Sequence, residues 1–144
     1  MPEDFTHGHF RPVLPDPKGP TEGVDRVVLA AGKVVHELDA MREKLGDTRT
    51  AILRVEQYYP LPAADLAKAI EAYPGAELVW VQDEPRNQGA WPFMALNLPG
   101  ALADLGVSRP LRVVSRKTSA SPATGSSKKH AAEQEALLQA AFAR

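Results

Sequence analysis

The sequence contains no cysteine among its 144 residues. Without cysteine the chain can form no disulfide, no thiolate zinc site, no iron–sulfur cluster and no cysteine nucleophile. Disulfide-free domains are common in reducing compartments, so we expect a cytoplasmic protein. A domain of this size typically removes roughly 68–70% of its unfolded-chain surface from water, so one hydrophobic core is enough to hold it without a covalent cross-link.

The sequence also lacks an excess of charge of one sign and a long apolar run. Lys and Arg number 17 and Asp and Glu number 18, which gives a formal net charge of -1. General nucleic-acid binders and binders of anionic membranes depend on surplus Lys and Arg, so this balance argues against both. No apolar stretch approaches the ~20 residues that cross a bilayer, and the first residues do not follow the basic-then-apolar order of a signal peptide. We therefore expect a soluble protein with neither nucleic acid nor membrane as a partner.

Catalytic motifs are scarce as well. The sequence has no Gly-x-Ser-x-Gly nucleophile elbow, and no dinucleotide fingerprint follows its first predicted strand. Residues 125–128 lack the earlier glycine and the ending of a phosphate loop. His7 and His9 form a His-x-His pair that has no further ligand at metal spacing. The sequence thus predicts no catalytic, cofactor-binding or metal site within the chain.

Proline is concentrated at the start of the chain. Residues 1–25 hold five of the 13 prolines, which remove backbone donors and restrict the residues before them. We therefore expect a Pro-rich interdomain linker over residues 1–25 and a single domain over residues 26–144. The apolar side chains of the linker, such as Phe5, Phe10 and Val13, pack either on a neighbouring domain or on their own domain, and both alternatives remain open.

From residue 26 onward, short apolar runs alternate with amphipathic stretches. This order is typical of βαβ units, so we predict an α/β fold that forms a three-layer sandwich around a mostly parallel sheet. The predicted strands cover residues 26–30, 50–55, 76–82 and 111–115. Four helices are predicted. The first has an apolar stripe of Val34, Leu38, Met41 and Leu45 and ends at Gly46, and the second follows Pro62. The third starts at about residue 89 and is split in two by Pro99, and the fourth covers about residues 129–143.

Three regions are richer in functional side chains than a scaffold needs. The first covers residues 80–91, where a strand runs into a polar cluster flanked by two tryptophans. Ligands and partners meet open α/β sheets at the carboxyl ends of strands, and buried interfaces favour Trp and Arg. We predict an interface made by Trp80, Asp83, Glu84, Arg86, Asn87, Gln88 and Trp91, with Tyr58 from the second region. The alternative is a charged loop that only caps the next helix.

The second region, residues 54–62, is another predicted strand end, with Gln57, Tyr58 and Tyr59 ahead of two prolines. We expect it beside the first region in the sheet; the alternative is that its tyrosines only shield the sheet edge.

The third region, residues 105–132, carries basic residues and no acidic residue. A basic loop that leads into a helix can hold a phosphate or carboxylates of a partner. Its candidate anion-binding residues are Arg116, Lys117, Lys128 and Lys129, and the alternative is a solvated basic loop.

Three blocks in these regions carry a family resemblance. Residues 54–62 read Arg-Val-Glu-Gln-Tyr-Tyr-Pro-Leu-Pro. Residues 80–91 read Trp-Val-Gln-Asp-Glu-Pro-Arg-Asn-Gln-Gly-Ala-Trp, and residues 119–130 read Ser-Ala-Ser-Pro-Ala-Thr-Gly-Ser-Ser-Lys-Lys-His. In this order and spacing they resemble the C-terminal domain of the thiamine-diphosphate-dependent first component of the 2-oxoglutarate dehydrogenase complex. Residues 3–14 resemble the linker that precedes this domain in the family, so the resemblance covers essentially the whole chain.

The resemblance implies a transketolase-type C-terminal domain that braces an enzyme without performing its chemistry. In the complete enzyme, thiamine diphosphate and Mg²⁺ decarboxylate 2-oxoglutarate, and the succinyl group passes to a lipoyl arm in the tricarboxylic acid cycle. The cofactor motif, a Gly-Asp-Gly followed at a distance by Asn, is absent from this sequence, where residues 46–48 read Gly-Asp-Thr. The implied partners are the remaining domains of the subunit, a second subunit in a homodimer, and the dihydrolipoyl succinyltransferase component.

The resemblance also bears on an effector. In the actinobacterial branch of the family, acetyl-coenzyme A binds an allosteric site that this domain partly forms. The amide of that site corresponds to Gln57, but two arginines fall on Ala64 and Asp65, and a lysine and a serine fall on His9 and Pro12. Each lost charge-assisted contact removes about 1.5–3 kcal/mol. We therefore expect no activation by acetyl-coenzyme A through these positions.

Two functional hypotheses remain open at this point. The chain is either a fragment or a split part of the dehydrogenase subunit, since it starts at a point that is mid-chain in the family, or a free-standing interaction or effector-binding module derived from that domain. For a fragment, we expect exposed apolar surface beside Trp91 and along residues 5–14.

Overall fold

The structure is a computed structural model that describes residues 11–20, 22–116 and 127–144, with only the backbone described for residue 127. Nine helices and strands occur within these residues. In chain order they are β1 (Val13–Leu14), β2 (Arg26–Ala30), α1 (Lys33–Leu45), β3 (Thr50–Val55), α2 (Ala63–Glu71), β4 (Glu77–Pro85), α3 (Trp91–Asp104), β5 (Leu111–Arg116) and α4 (Ser127–Phe142).

The five strands form one mostly parallel sheet in the order β1-β3-β2-β4-β5. β2 lies in the middle and pairs in parallel with both β3 and β4, with Val28 opposite Ile52 on one side and Val79 on the other. β5 extends the sheet in parallel beyond β4, whereas β1 is a short antiparallel edge strand. The carboxyl ends of β2, β3 and β4 therefore meet at one edge of the sheet.

Helices cover both faces of the sheet, because successive strand residues point to opposite sides. Val27 and Leu29 of β2 face a core that also contains residues of α2 and α3. Val28 and Ala30 face a second core, to which α1 and α4 contribute. The predicted three-layer α/β sandwich is confirmed, and all four predicted strands are present with small differences at their ends.

The prediction that Pro99 splits the third helix is wrong. α3 runs without a break from Trp91 to Asp104 and includes Pro99. Proline leaves the carbonyl four residues earlier without a donor, here that of Ala95, and Ala95 is exposed, so water can bind this carbonyl. On the core side Met94, Leu98 and Leu102 are buried and hold the helix against the sheet.

The first predicted helix has one exception in its apolar stripe. Val34, Leu38 and Met41 are buried, but Leu45 is half exposed at the end of α1. Gly46 has a left-handed backbone and its N–H bonds to carbonyls of the last turn, as a C-terminal glycine does. The sequence correctly predicted this end but not the exposure of the last apolar side chain.

The segment before β2 packs on its own domain where the structure describes it. Val13 belongs to the core on the α2 and α3 side, and the carboxylate of Asp16 is buried against Arg42 of α1. Asp16 Oδ2 accepts hydrogen bonds from Arg42 Nη1 at 2.5 Å and from the backbone N–H of Ile52 at 2.8 Å. Residues 1–10 lie outside the described residues, and the division of the chain into a linker over residues 1–25 and a domain from residue 26 stays a prediction.

Arg144, the last residue of the sequence, is held at the amino ends of the strands by hydrogen bonds. Arg144 Nη2 donates to Asp25 Oδ1 at 2.9 Å and to Thr50 Oγ1 at 3.1 Å. Asp25 precedes β2 and Thr50 begins β3, so Arg144 lies at the amino ends of the strands.

The buried pair predicts a large loss of stability for Asp16→Asn. Removing one partner of a buried ion pair typically costs about 3–5 kcal/mol, because the other charge stays buried without full compensation. We expect a loss of this size in the free energy of unfolding, measured by urea denaturation. Lys18→Ala is the control, since Lys18 and Glu43 form an exposed pair whose loss costs less than about 1 kcal/mol. Equal losses in the two variants would contradict the role given to Asp16.

The same pair predicts a pH dependence. Burial alone would raise the pKa of Asp16, but hydrogen bonds from Arg42, Ile52 and Lys18 outweigh it, and the pKa lies below its ordinary value. The contribution of Asp16 is thus complete above the ordinary pKa of an aspartate and disappears as the pH falls through the lower pKa of the folded state. Denaturation at a series of acidic pH values should show the stability difference between wild type and Asp16→Asn shrinking toward low pH; a constant difference would argue against this.

A candidate interface at the carboxyl ends of the strands

The side chain of Gln82 organises the loop between β4 and α3. Gln82 is buried, and its Oε1 accepts hydrogen bonds from Trp80 Nε1 at 2.9 Å and from the backbone N–H of Trp91 at 2.8 Å. Its Nε2 donates to the carbonyl oxygens of Pro85 at 3.0 Å and Gln88 at 2.8 Å. One amide therefore connects the strand, the loop and the first residue of α3.

Sequence reasoning placed Gln82 in the first region but did not select it. A signal was available, because Leu78, Trp80 and Gln82 alternate along β4 and so point to the same face. An amide that continues an inward apolar series is buried, and a buried amide needs several partners. The loop carbonyls and the Trp80 indole are those partners.

Gly89 lets the loop fold back on Glu84. Its φ of 65° lies in the left-handed region, and a Cβ at this position would stand 2.9 Å from Glu84 Oε1. Only glycine adopts this backbone without strain and leaves that space. The side chain of Glu84 therefore lies directly against the backbone of Gly89.

A cleft of about 500 Å³ opens beside this loop. We call it the aromatic cleft; its lining residues are Ala31, Tyr58, Tyr59, Trp80, Val81, Gln82, Glu84, Gly89, Ala90 and Phe93. The rings of Tyr58 and Trp80 meet edge to face, with centroids 6.1 Å apart and planes at 68°.

The cleft brings together the first two regions of the sequence, but not as neighbours in the sheet. That expectation is wrong, because β2 lies between β3 and β4. The loops after β3 and β4 instead meet across the end of β2, where Ala31 also lines the cleft. Burial raises the pKa of Tyr58, and the nearby carboxylates of Glu84 and Glu56 raise it further.

The residues predicted for the interface differ in exposure. Trp80 is 1% exposed and belongs to the core, and Trp91 is half buried against the same core. Asp83 is half buried and accepts a hydrogen bond from Gln134 Nε2 at 2.7 Å. The residues that lie exposed are Tyr58, Glu84, Arg86, Asn87 and Gln88.

Two side chains outside the predicted set of interface residues complete this surface. Tyr59 is 86% exposed and Leu96 is 82% exposed. Leu96 lies one turn after Phe93 on α3, and residues three apart share a helix face. We call Tyr58, Tyr59, Phe93 and Leu96 the strand-end surface.

Arg116, one of the predicted anion-binding residues, is already paired. Its Nη1 donates to Glu133 Oε2 at 2.9 Å and its Nη2 to Gln134 Oε1 at 2.6 Å. An anion at this guanidinium would compete with a carboxylate of α4. Lys128 and Lys129 lie exposed in the first turn of α4, and Lys117 lies outside the described residues.

The candidate effector residue Gln57 supports its own turn. Its Nε2 donates to the carbonyl oxygen of Pro60 at 2.8 Å. Ala64 and Asp65 are exposed in the first turn of α2, where Asp65 adds a negative charge that would repel a phosphate. The absence of an acetyl-coenzyme A response stays a prediction.

Residues 46–48, the Gly-Asp-Thr turn, are engaged in local contacts. Asp47, the only acidic residue in the Gly-Asp-Thr turn, accepts a hydrogen bond from the backbone N–H of Arg49 at 2.8 Å and lies near Arg144. Across residues 11–20, 22–116 and 127–144, no group of three or more His, Cys, Asp or Glu side chains could hold a metal ion. Nor does this part of the chain include a helix of the length and apolarity needed to span a membrane.

Comparison with known proteins identifies the family. Residues 1–142 match the family described as 2-oxoglutarate dehydrogenase C-terminal. The chain belongs to this family. The resemblance seen in the sequence is thereby confirmed.

Curated relatives of the family agree. The chain is 43% identical over 148 residues to the multifunctional 2-oxoglutarate metabolism enzyme of Mycobacterium sp. (strain JLS), with 97% of this chain and 11% of the relative covered. It is 43% identical to the enzyme of the same name from Mycolicibacterium vanbaalenii, covering 97% of this chain and 12% of the relative. It is 41% identical to the 2-oxoglutarate dehydrogenase E1 component of Cupriavidus necator, covering 98% of this chain and 15% of the relative. The chain thus spans less than a sixth of these relatives.

The hydrogen bonds of Gln82 predict that the substitution Gln82→Leu lowers the stability of the folded chain, because the loop between β4 and α3 loses its hydrogen-bond partners. Leucine leaves the Trp80 indole and the Trp91 N–H without acceptors, and each unsatisfied buried group costs about 1–3 kcal/mol. We expect a lower free energy of unfolding in urea and a shifted indole N–H resonance of Trp80. Gln88→Ala is the control, because the Gln88 side chain is exposed and only its backbone contacts Gln82. If both variants unfolded at the same urea concentration, the organising role of Gln82 would be wrong.

Proposed function

We propose that this chain is the C-terminal assembly domain of a cytoplasmic 2-oxoglutarate dehydrogenase subunit and does not catalyse on its own. The complete subunit would decarboxylate 2-oxoglutarate in the tricarboxylic acid cycle and transfer the succinyl group to a lipoyl arm. The observation that carries the proposal is that one C-terminal family matches residues 1–142, while relatives with this segment are far longer.

The strand-end surface supports an assembly role. Tyr59 and Leu96 are almost fully exposed although both are large apolar side chains. Contiguous exposed apolar surface is typical of contacts with other protein surfaces. It lies at the edge where the strands end, and the described residues around it include no set of groups arranged for catalysis.

The proposed partners are those that the family resemblance implies. The E1 component of Cupriavidus necator is by name part of a larger dehydrogenase system. We assign to this chain the remaining domains of the subunit, a homodimer, and the dihydrolipoyl succinyltransferase component as partners. Thiamine diphosphate and Mg²⁺ would be held by the remaining domains.

A second function, a free-standing interaction or effector-binding module, is favoured by one observation. Helices cover both faces of the sheet and complete two cores, and the aromatic cleft lies entirely within the chain. A domain with a complete core and its own cleft can bind a ligand without further domains.

A chimera tests the proposed function. The segment of the Cupriavidus necator E1 component that matches this chain is replaced by the chain, and 2-oxoglutarate-dependent NADH formation is measured with the other components of that complex. We expect activity from the chimera and none from the E1 component that lacks the segment. Turnover of 2-oxoglutarate or tight thiamine diphosphate binding by the 144-residue chain alone would contradict the proposal, and a folded but inactive chimera would favour the module.

Leu96→Asp tests the strand-end surface within that chimera. Because Leu96 is 82% exposed in the chain alone, we expect the isolated variant to keep its free energy of unfolding within about 0.5 kcal/mol. We expect the chimera with this substitution to lose assembly in analytical ultracentrifugation, since a charge would be buried at the contact. Leu45→Asp is the matched control, half exposed on α1 at the opposite face of the sheet. If the Leu96→Asp and Leu45→Asp chimeras assembled equally well, the strand-end surface would not be part of the interface.

A further inference from the structure

The aromatic cleft combines aromatic walls with a single type of charge. Tyr58, Tyr59, Trp80 and Phe93 contribute rings, and Glu84 is the one charged residue among the ten that line it. None of these ten residues is a lysine, an arginine or a histidine. A ligand in the cleft therefore meets aromatic side chains and a carboxylate.

The carboxylate of Glu84 is held at the cleft and has no protein partner in the described part of the chain. Its neighbours differ: Asp83 is hydrogen-bonded by Gln134, and Glu56 Oε2 lies 3.3 Å from Arg54 Nε. Glu84 instead packs on the backbone of Gly89: a Cβ added at Gly89 would lie 3.1 Å from the Cβ of Glu84. This contact places the side chain beside the loop backbone without neutralising its charge.

Arg86, the basic residue of the same loop, is not among the residues that line the cleft. The backbone N–H of Arg86 donates to the carbonyl oxygen of Arg116 in β5, at 3.1 Å, on the side of the loop away from β3. The phenol of Tyr58, by contrast, is close enough to Glu84 and Glu56 that both carboxylates raise its pKa, after burial. Tyr58 and Glu84 thus lie near each other, and both line the cleft.

This combination selects for an organic cation. Aromatic faces attract ammonium and guanidinium groups, and the attraction grows when the site is partly desolvated. An anion would be repelled by Glu84, and a purely apolar ligand would bury the carboxylate without compensation. A guanidinium fits best, because it is planar, stacks on rings and donates two parallel hydrogen bonds to a carboxylate.

The surroundings favour a polypeptide over a free small cation. Tyr59 and Leu96 extend the apolar surface beyond the cleft and are 86% and 82% exposed. An arginine on a protein surface would bring apolar neighbours to this rim, whereas a small cation would leave it uncovered. The relatives also carry most of their length outside the segment that this chain matches.

We propose that the aromatic cleft binds an arginine side chain from the part of the dehydrogenase subunit that lies outside this chain, with the guanidinium against Tyr58 and Tyr59 and paired with Glu84. This inference rests on the proposed assembly function and adds to it the chemistry of one contact. It makes Glu84 the residue that recognises the partner and Gly89 the residue that keeps Glu84 in place.

The isolated chain allows a direct test by NMR. The probe is Nα-acetyl-arginine methylamide, and the neutral comparison compound is Nα-acetyl-citrulline methylamide, which has almost the same shape. We expect saturable shifts of the Trp80 indole and Gly89 amide resonances with the arginine compound and none with the citrulline compound. Glu84→Gln should weaken binding about fivefold. Glu71→Gln, an exposed change at the far end of α2, is the charge-matched control and should bind as wild type does.

Several results would overturn the inference. They are equal affinity of wild type and Glu84→Gln, equal shifts with the two compounds, and no shift of either resonance at the solubility limit of the probe. Sedimentation gives a further test. If the wild-type chain dimerised and Glu84→Gln did not, the arginine would come from a second copy of the chain, and its assignment to the rest of the subunit would be wrong.

The chimera experiment and the arginine-binding experiment test different claims, so one can fail while the other succeeds. An active chimera with no arginine binding in the cleft refutes the inference and leaves the assembly function in place. An inactive chimera whose chain still binds the arginine compound refutes the assembly function, and with it the source of the arginine, while the cation site itself stands.

Discussion

The strand-end site depends on one side-chain amide. Gln82 accepts hydrogen bonds from the Trp80 indole and the Trp91 N–H and donates to two loop carbonyls, so the loop has a fixed shape. That shape puts Gly89 against Glu84 and starts α3 at Trp91. The aromatic cleft and the exposed face of α3 therefore depend on a residue that contributes little surface of its own.

The rest of the chain gives this site a rigid base. Two cores fill the space between the sheet and its helices, and the central strand β2 is fully buried on both faces. The buried pair of Asp16 and Arg42 joins the segment before β2 to α1 and β3. Tyr59 and Leu96 belong to neither core, so they are surface features that a partner can cover.

Sequence reasoning was most accurate where regular patterns decide the structure. Continuous apolar runs and helical stripes predicted four of the five strands, the four helices and the layers, because burial on two faces leaves a clear pattern. The short edge strand β1 was not predicted. Sequence reasoning failed at Pro99, where tertiary packing of Met94, Leu98 and Leu102 overrides a local helix breaker. It also placed the first two regions side by side, since strand order is not written in the local pattern of any strand.

The candidate site was predictable only in part for the same reason. The sequence indicated the loops after β3 and β4, but the meeting of Tyr58 with Trp80 arises from the crossover that puts β2 between them. Tyr59 was named in the second region but not among the interface residues, and Leu96 was not named, because an apolar side chain has no local mark of exposure in the sequence.

The position of Arg144 has a practical consequence. Its hydrogen bonds to Asp25 and Thr50 hold it at the amino ends of the strands, and the aromatic cleft lies at their carboxyl ends. A five-residue strand is about 17 Å long, so a tether attached after Arg144 would fix the molecule to a sensor surface with the cleft turned outward. The geometry of the sheet thus orients an immobilised chain for partners arriving from solution.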